Sequence, residues 1–215
     1  LDSMVNAPRR GARGMAPARP AGGGNGGKGK IILIGSSTGG VEALRNVLVG
    51  FPFDCPPTVI VQHTGKSFGP GLVSLLDKIC PAKVVAARDG VALEPGTVHV
   101  AAGMPQHLGL TPRKPLRTRL KSGPPVSGHT PSVDALFHSA VPVAKDVVAA
   151  ILTGMGQDGA KGMAELRKAG ATTFAQDQKS SVVYGMPRVA WEMGGAQKQV
   201  SLARMATTLL QACKT

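Results

Sequence analysis

Along this chain two hydrophobic patterns alternate. Uninterrupted apolar runs such as "IILIG" (31–35), "TVIV" (58–61) and "VVAAI" (147–151) lack the polar alternation of a half-exposed strand. They predict strands with both faces covered, the habit of parallel sheets. Between them lie stretches of helical period. In "VEALRNVLVG" (41–50), Val41, Leu44, Val47 and Leu48 fall on one predicted face, and Gly50 marks the end. "GLVSLLDKI" (71–79), "SVDALFHSAV" (132–141) and "DGAKGMAELRKAG" (158–170) read the same way, the last with Asp158 near its start and Gly170 at its end.

"AKVVAA" (82–87), "GTVHVAA" (96–102) and "ATTFA" (171–175) complete the strands. "HLGL" (107–110) with "LRTRL" (116–120) predicts a small β-hairpin, and helices around "PRVAWEM" and "SLARMATTLLQAC" close the chain. No internal repeat interrupts the alternation. The expected fold is α/β, a doubly wound and mostly parallel sheet with helices on both faces and a hairpin insertion.

Composition sets the limits of that domain. The first 29 residues, rich in Gly, Pro, Arg and Ala, hold almost no large apolar side chains and predict a flexible basic linker or tail. Residues 30–215 of the 215-residue chain are then long enough for one compact domain. No apolar run resembles a secretory signal or a membrane span. Cys55, Cys80 and Cys213 are odd in number, widely spaced and without a C-x-x-C pair. That argues against a disulfide framework and a zinc site, and predicts no metal and a cytoplasmic setting. The formal net charge of +13 suggests an anionic partner. With 3% aromatic residues, base-stacking platforms are scarce, and on charge alone an acidic protein surface is as good a candidate as nucleic acid; the reading adopted expects no nucleic acid.

In doubly wound sheets, ligands bind beyond the carboxyl ends of the strands. The polar residues there are Ser36, Ser37 and Thr38, then Gln62 and His63, then "TGMGQDG" (153–159). "GSSTG" (35–39) matches G-x-S-x-G, which picks Ser37 as a nucleophile on a sharp strand-to-helix turn. A serine hydroxyl needs a base; His63 is placed to serve if the first two strands are neighbours, and Asp158 to orient it. Other readings of these residues stand beside this one. Ser37 or Thr38 could cap the next helix, the glycines could cradle a phosphate, Asp158 could be an N-cap and His63 a structural histidine. His99, His107 and His129 are expected in a strand, beside the hairpin and in a loop; His138 is expected to pair with Asp134 four residues back. Cys55 has no evident base and reads as an ordinary thiol.

Taken together, "IGSSTGG", "VQH", "GPPVSGHTPSVDALFHSA", "ILTGMGQDGAKGM", "AQDQKSSVVYGMPR" and "MGGA" resemble the catalytic domain of the bacterial chemotaxis methylesterases, the CheB family. The resemblance covers the chain from about residue 30 to its end. It implies a protein-glutamate methylesterase that hydrolyses γ-glutamyl methyl esters on methylated chemoreceptor signalling helices, with glutamine deamidation as a second activity of some members. It implies Ser37, His63 and Asp158 as the triad, Thr38 and Met155 beside the oxyanion, and no cofactor. The alternative is a non-catalytic module of the same fold that binds receptors or signalling proteins.

Members of that family commonly carry an N-terminal receiver domain, where this chain has its basic segment; the resemblance implies either a longer regulator or a different control. "QHTGKSFGPGL" (62–72) departs from the family's usual "QHMPPGFT", and Ser36 stands where alanine is common.

Overall fold

A computed structural model describes residues 29–215. The expected basic tail, apart from Gly29, lies outside the described residues. Seven parallel strands form one sheet in the order β3-β4-β2-β1-β7-β8-β9. These are β1 (Ile31–Ser36), β2 (Thr58–Gln62), β3 (Lys83–Ala86), β4 (Thr97–Ala102), β7 (Val147–Ile151), β8 (Thr172–Gln176) and β9 (Lys198–Val200). An antiparallel hairpin of β5 (His107–Leu110) and β6 (Thr118–Lys121) stands apart from it. The helices are α1 (Gly40–Val49), α2 (Gly69–Ile79), α3 (Val133–Ala140), α4 (Ala160–Lys168), α5 (Met186–Glu192) and α6 (Leu202–Ala212).

The unbroken apolar runs are explained by two cores. Ile31 and Leu33 of β1 join one, with Leu136 and Phe137 of α3, Met163 and Leu166 of α4, Met186 of α5 and Leu108 of the hairpin. Ile32 and Ile34 point the other way, into a core with Leu44 and Val47 of α1, Leu76 of α2 and Leu209 of α6. All four β1 side chains are buried, each worth about 1.5–3 kcal/mol relative to exposure. Both faces of β1 therefore demand apolar residues.

From β1 the chain passes to β2, on to the edge strand β3 and back to β4 between them, and after the hairpin it crosses to β7 on the other side of β1. Right-handed crossovers that travel in opposite directions place their helices on opposite faces, as α1 and α4 are. The reversal leaves a crevice between the carboxyl ends of β1 and β7, where such sheets bind ligands.

Some local expectations change. Val41 is not on the inner face of α1 but 39% exposed. The helix begins at Gly40, and its buried stripe runs through Gly40, Ala43, Leu44, Val47 and Leu48. β9 and a short 3-10 helix at Val141–Asp146 were not predicted. β9 has three residues, and its lysine and glutamine carry no apolar period. No described helix is long and apolar enough to cross a membrane.

Candidate active site

Ser37 follows β1 directly and His63 follows β2. The two strands pair in register to Ser36↔Gln62, and the His63 N–H donates to the Ser36 carbonyl at 3.0 Å. Asp158 ends the loop after β7, the strand on the other flank of β1. The sheet thus brings all three to one end of adjacent strands.

Asp158 is fully buried, and every lone-pair direction of its carboxylate is used. Oδ1 accepts from the Ser132 hydroxyl at 2.8 Å and the Asp134 N–H at 2.9 Å. Oδ2 accepts from the Val133 N–H and from His63 Nε2, both at 2.8 Å. Ser132 caps α3, and Val133 and Asp134 are its first residues, so the carboxylate sits at the positive end of that helix. Burial alone would raise its pKa. The hydrogen bonds from His63, the Asp134 and Val133 N–H groups and Ser132 outweigh that and hold it below the usual carboxylate range. Asp158 therefore does not cap α4, whose N-cap is the left-handed Gly159. It closes α3 from a distant part of the chain.

An ionised carboxylate can only accept, so the proton of the His63–Asp158 bond belongs to Nε2 of His63. Nδ1 then carries the lone pair. It is buried and has no partner among the described residues, on a residue whose backbone N–H meets the Ser36 carbonyl. Ser37 Oγ makes no hydrogen bond to a described residue. In unliganded sites such catalytic contacts often form only around the substrate. Nor does Ser37 or Thr38 cap α1: the N-cap is Gly39, at φ +79°, with no side-chain bond.

Gln62 and Thr153, which the sequence places at strand ends without giving either a role, lock this turn. Gln62, 2% exposed, donates from one amide nitrogen to the Ser37 carbonyl at 2.9 Å and the His63 carbonyl at 2.7 Å. Its oxygen accepts from the buried Ser36 hydroxyl at 2.6 Å. One amide thus ties the backbone of the serine to that of the histidine. Thr153 accepts the Ser37 N–H on its carbonyl at 3.0 Å, and its hydroxyl donates to the Thr38 carbonyl at 2.9 Å. At Gly154 a Cβ would lie 2.7 Å from Ser37 Cβ, so only glycine lets the β7 loop approach Ser37 this closely.

Thr38 and Met155 border this crevice, Met155 69% exposed, and no described acceptor engages either N–H. The remaining histidines separate clearly. His107 fixes the far side of Ser132, accepting its N–H on Nδ1 at 3.2 Å. His138 pairs not with Asp134 but with Glu165 of α4 at 2.6 Å, because Asp134 turns inward. His129 stacks on His63. The cysteine alternative loses its chemistry: burial pushes the Cys55 thiol up to about 12.

His63, His129 and Asp158 have ligand atoms within 4.8 Å of one another. Their arrangement does not suit a metal. The two imidazole planes are parallel within 3°, so in-plane lone pairs do not converge, and the carboxylate oxygens are already saturated by donors.

Residues 32–209 match the family model described as CheB methylesterase. A protein-glutamate methylesterase/protein-glutamine glutaminase 1 of Caulobacter vibrioides is 53% identical over 183 residues, 85% of this chain and 53% of the relative. One from Dechloromonas aromatica is 45% identical over 190 residues, 88% of this chain and 54% of the relative. The chain spans about half the length of these curated relatives. The crystal structure of the Thermotoga maritima CheB methylesterase catalytic domain superposes with a TM-score of 0.82 at 34% identity, covering 86% of this chain and 98% of that one.

Proposed function

Because this chain belongs to the CheB methylesterase family, we propose that it hydrolyses γ-glutamyl methyl esters on chemoreceptor signalling helices, with Ser37 as nucleophile, His63 as base and Asp158 as its orienting carboxylate. The observation that carries the reading is the His63 ring, at the end of the strand paired with the one that leads into Ser37: Nε2 is committed to Asp158, and the buried Nδ1 is left with its lone pair.

His63 Nδ1 takes the Ser37 proton as Oγ bonds to the ester carbonyl carbon, and the carbonyl π pair moves onto oxygen. The Thr38 and Met155 N–H groups receive that oxyanion. As the tetrahedral centre collapses, the C–OCH3 bond breaks and His63 returns the proton to methoxide, releasing methanol. Water then repeats the cycle on the glutamyl ester of Ser37, with His63 again as base, and glutamate leaves with Ser37 restored. The imidazolium that forms twice is stabilised by Asp158, which already carries a full negative charge. Glutamine side chains would follow the same steps, with ammonia in place of methanol. None of them requires a cofactor.

The net charge of +13 suits substrate helices rich in glutamate, and the free thiols of Cys55, Cys80 and Cys213 support a cytoplasmic setting. The test is methanol release from methylated chemoreceptor fragments by the folded chain and by Ser37→Ala. Release by the parent alone supports the reading; equal release by both overturns it, and release by neither favours the interaction module of the same fold.

A further inference from the structure

We infer that His129 is a positioning residue for His63: a tight turn lays its imidazole flat on the face of the base and holds that ring in the plane from which Nδ1 reaches Ser37. The inference rests on the Ser37–His63–Asp158 reading.

The two ring centroids lie 3.8 Å apart with the planes 3° from parallel. Asp158 fixes one atom of His63, but a single hydrogen bond leaves the ring free to swing about it. A flat surface on the ring face removes that freedom. His129 is itself held on several sides. Val126 and His129 exchange both backbone hydrogen bonds, at 3.0 and 3.1 Å, closing a two-residue turn of Ser127 and Gly128. Both turn residues have positive φ, +51° and +81°, and Ser127 is the only non-glycine residue with positive φ among those described. L-residues disfavour that conformation, so something must stabilise it.

The stabilising partner is Asp134, buried in α3. It accepts from the Ser127 hydroxyl at 2.6 Å on one oxygen and from the Gly162 N–H at 2.8 Å on the other. The Asp134 N–H is one of the donors to Asp158. One helix N-terminus therefore sets both supports of the base, Asp158 at its edge and the His129 turn at its face. The carbonyl of Ser127 accepts from His129 Nδ1 at 2.9 Å, which fixes the tautomer and orientation of the stacked ring.

The test uses the full chain with His129→Leu, which keeps bulk without a flat face, and His129→Phe, which keeps the face without nitrogen. Methanol release gives kcat and KM, and proton NMR follows the His63 Nε2–H signal. The expected result is a fall in kcat of about tenfold or more for His129→Leu at unchanged KM, with a broadened Nε2–H resonance, and recovery of most of it in His129→Phe. Should His129→Leu fail to fold, Ser127→Ala, which only unties the turn from Asp134, is expected to lower kcat at unchanged KM. A kcat within twofold of the parent in the folded His129→Leu variant, or in Ser127→Ala where that variant must serve, overturns the inference, as does equal loss in His129→Leu and His129→Phe. In either case an inactive Ser37→Ala leaves the triad reading standing. An active Ser37→Ala overturns both.

Discussion

Replacing Gln62 by leucine tests whether one buried amide unites Ser37 and His63, the proposed nucleophile and base. Leucine approximates its volume, so the change removes hydrogen bonds with little cavity. The Ser36 hydroxyl loses its acceptor and the His63 carbonyl loses the amide, while the Ser37 carbonyl keeps the Gly40 N–H at 2.8 Å. Each buried group left without a partner costs about 1–3 kcal/mol, so two orphaned groups, partly offset by the extra apolar burial, cost about 2–4 kcal/mol. That is a large share of the roughly 5–15 kcal/mol that holds a domain folded. Urea denaturation at neutral pH measures it as a lowered midpoint at unchanged slope. The double variant Ser36→Ala/Gln62→Leu removes one orphan and should recover about 1 kcal/mol, a coupling that two independent sites would not show. Activity should fall by about ten- to a hundredfold in kcat, because the serine and histidine backbones are no longer tied. A Gln62→Leu chain within about 0.5 kcal/mol of the parent, with kcat within about twofold, refutes the reasoning.

Other consequences follow from the same geometry. Asp158 has a depressed folded-state pKa, so its contribution to stability is present above the unfolded carboxyl value of about 4 and is lost as pH falls through the lower folded value; Asp158→Asn should flatten this acid limb in urea midpoints against pH, and an unchanged limb would count against it. The same variant removes the anion that selects the Nε2–H tautomer and should lower kcat by roughly four orders of magnitude in methanol-release assays. Gly154→Ala drives a methyl group into Ser37 Cβ and should cost about 1–3 kcal/mol in thermal or urea unfolding, with a fall in kcat at near-constant KM. With acidic receptor fragments, kcat/KM should decline as salt rises from low ionic strength; a salt-independent value would deny the net charge a steering role.

The strands were legible because both sheet faces are buried, so apolar runs such as Ile31–Ile34 carry no polar interruption. β9 was not, since a three-residue edge strand takes its order from β8 rather than from its own side chains. Ser37 stood out through its glycine-flanked turn, and His63 and Asp158 through their places after buried strands. What held them there was hidden, because it depends on contacts across the fold. Ser132 reaches Asp158 over 26 positions, and Thr153 reaches Thr38 over 115. Gln62 was visible as a polar residue at a strand end, but nothing in its neighbours tells that its amide faces two carbonyls. The expected Asp134–His138 pair failed for a related reason: helical spacing puts two side chains on one face, but burial against α4 gave Asp134 the Gly162 N–H and sent His138 to Glu165. The Ser-Gly dipeptide before His129 was the one local sign of the turn beneath the stacked ring.

The central claim is that Ser37 becomes covalently attached to the substrate glutamyl group. Acid quenching during turnover of a methylated receptor fragment, followed by mass spectrometry of the peptide that contains residues 31–44, tests it most directly. The account predicts a glutamyl ester on Ser37 that forms as methanol is released and decays as glutamate appears. Methanol release with no adduct on that peptide, or with the adduct on another residue, would contradict it.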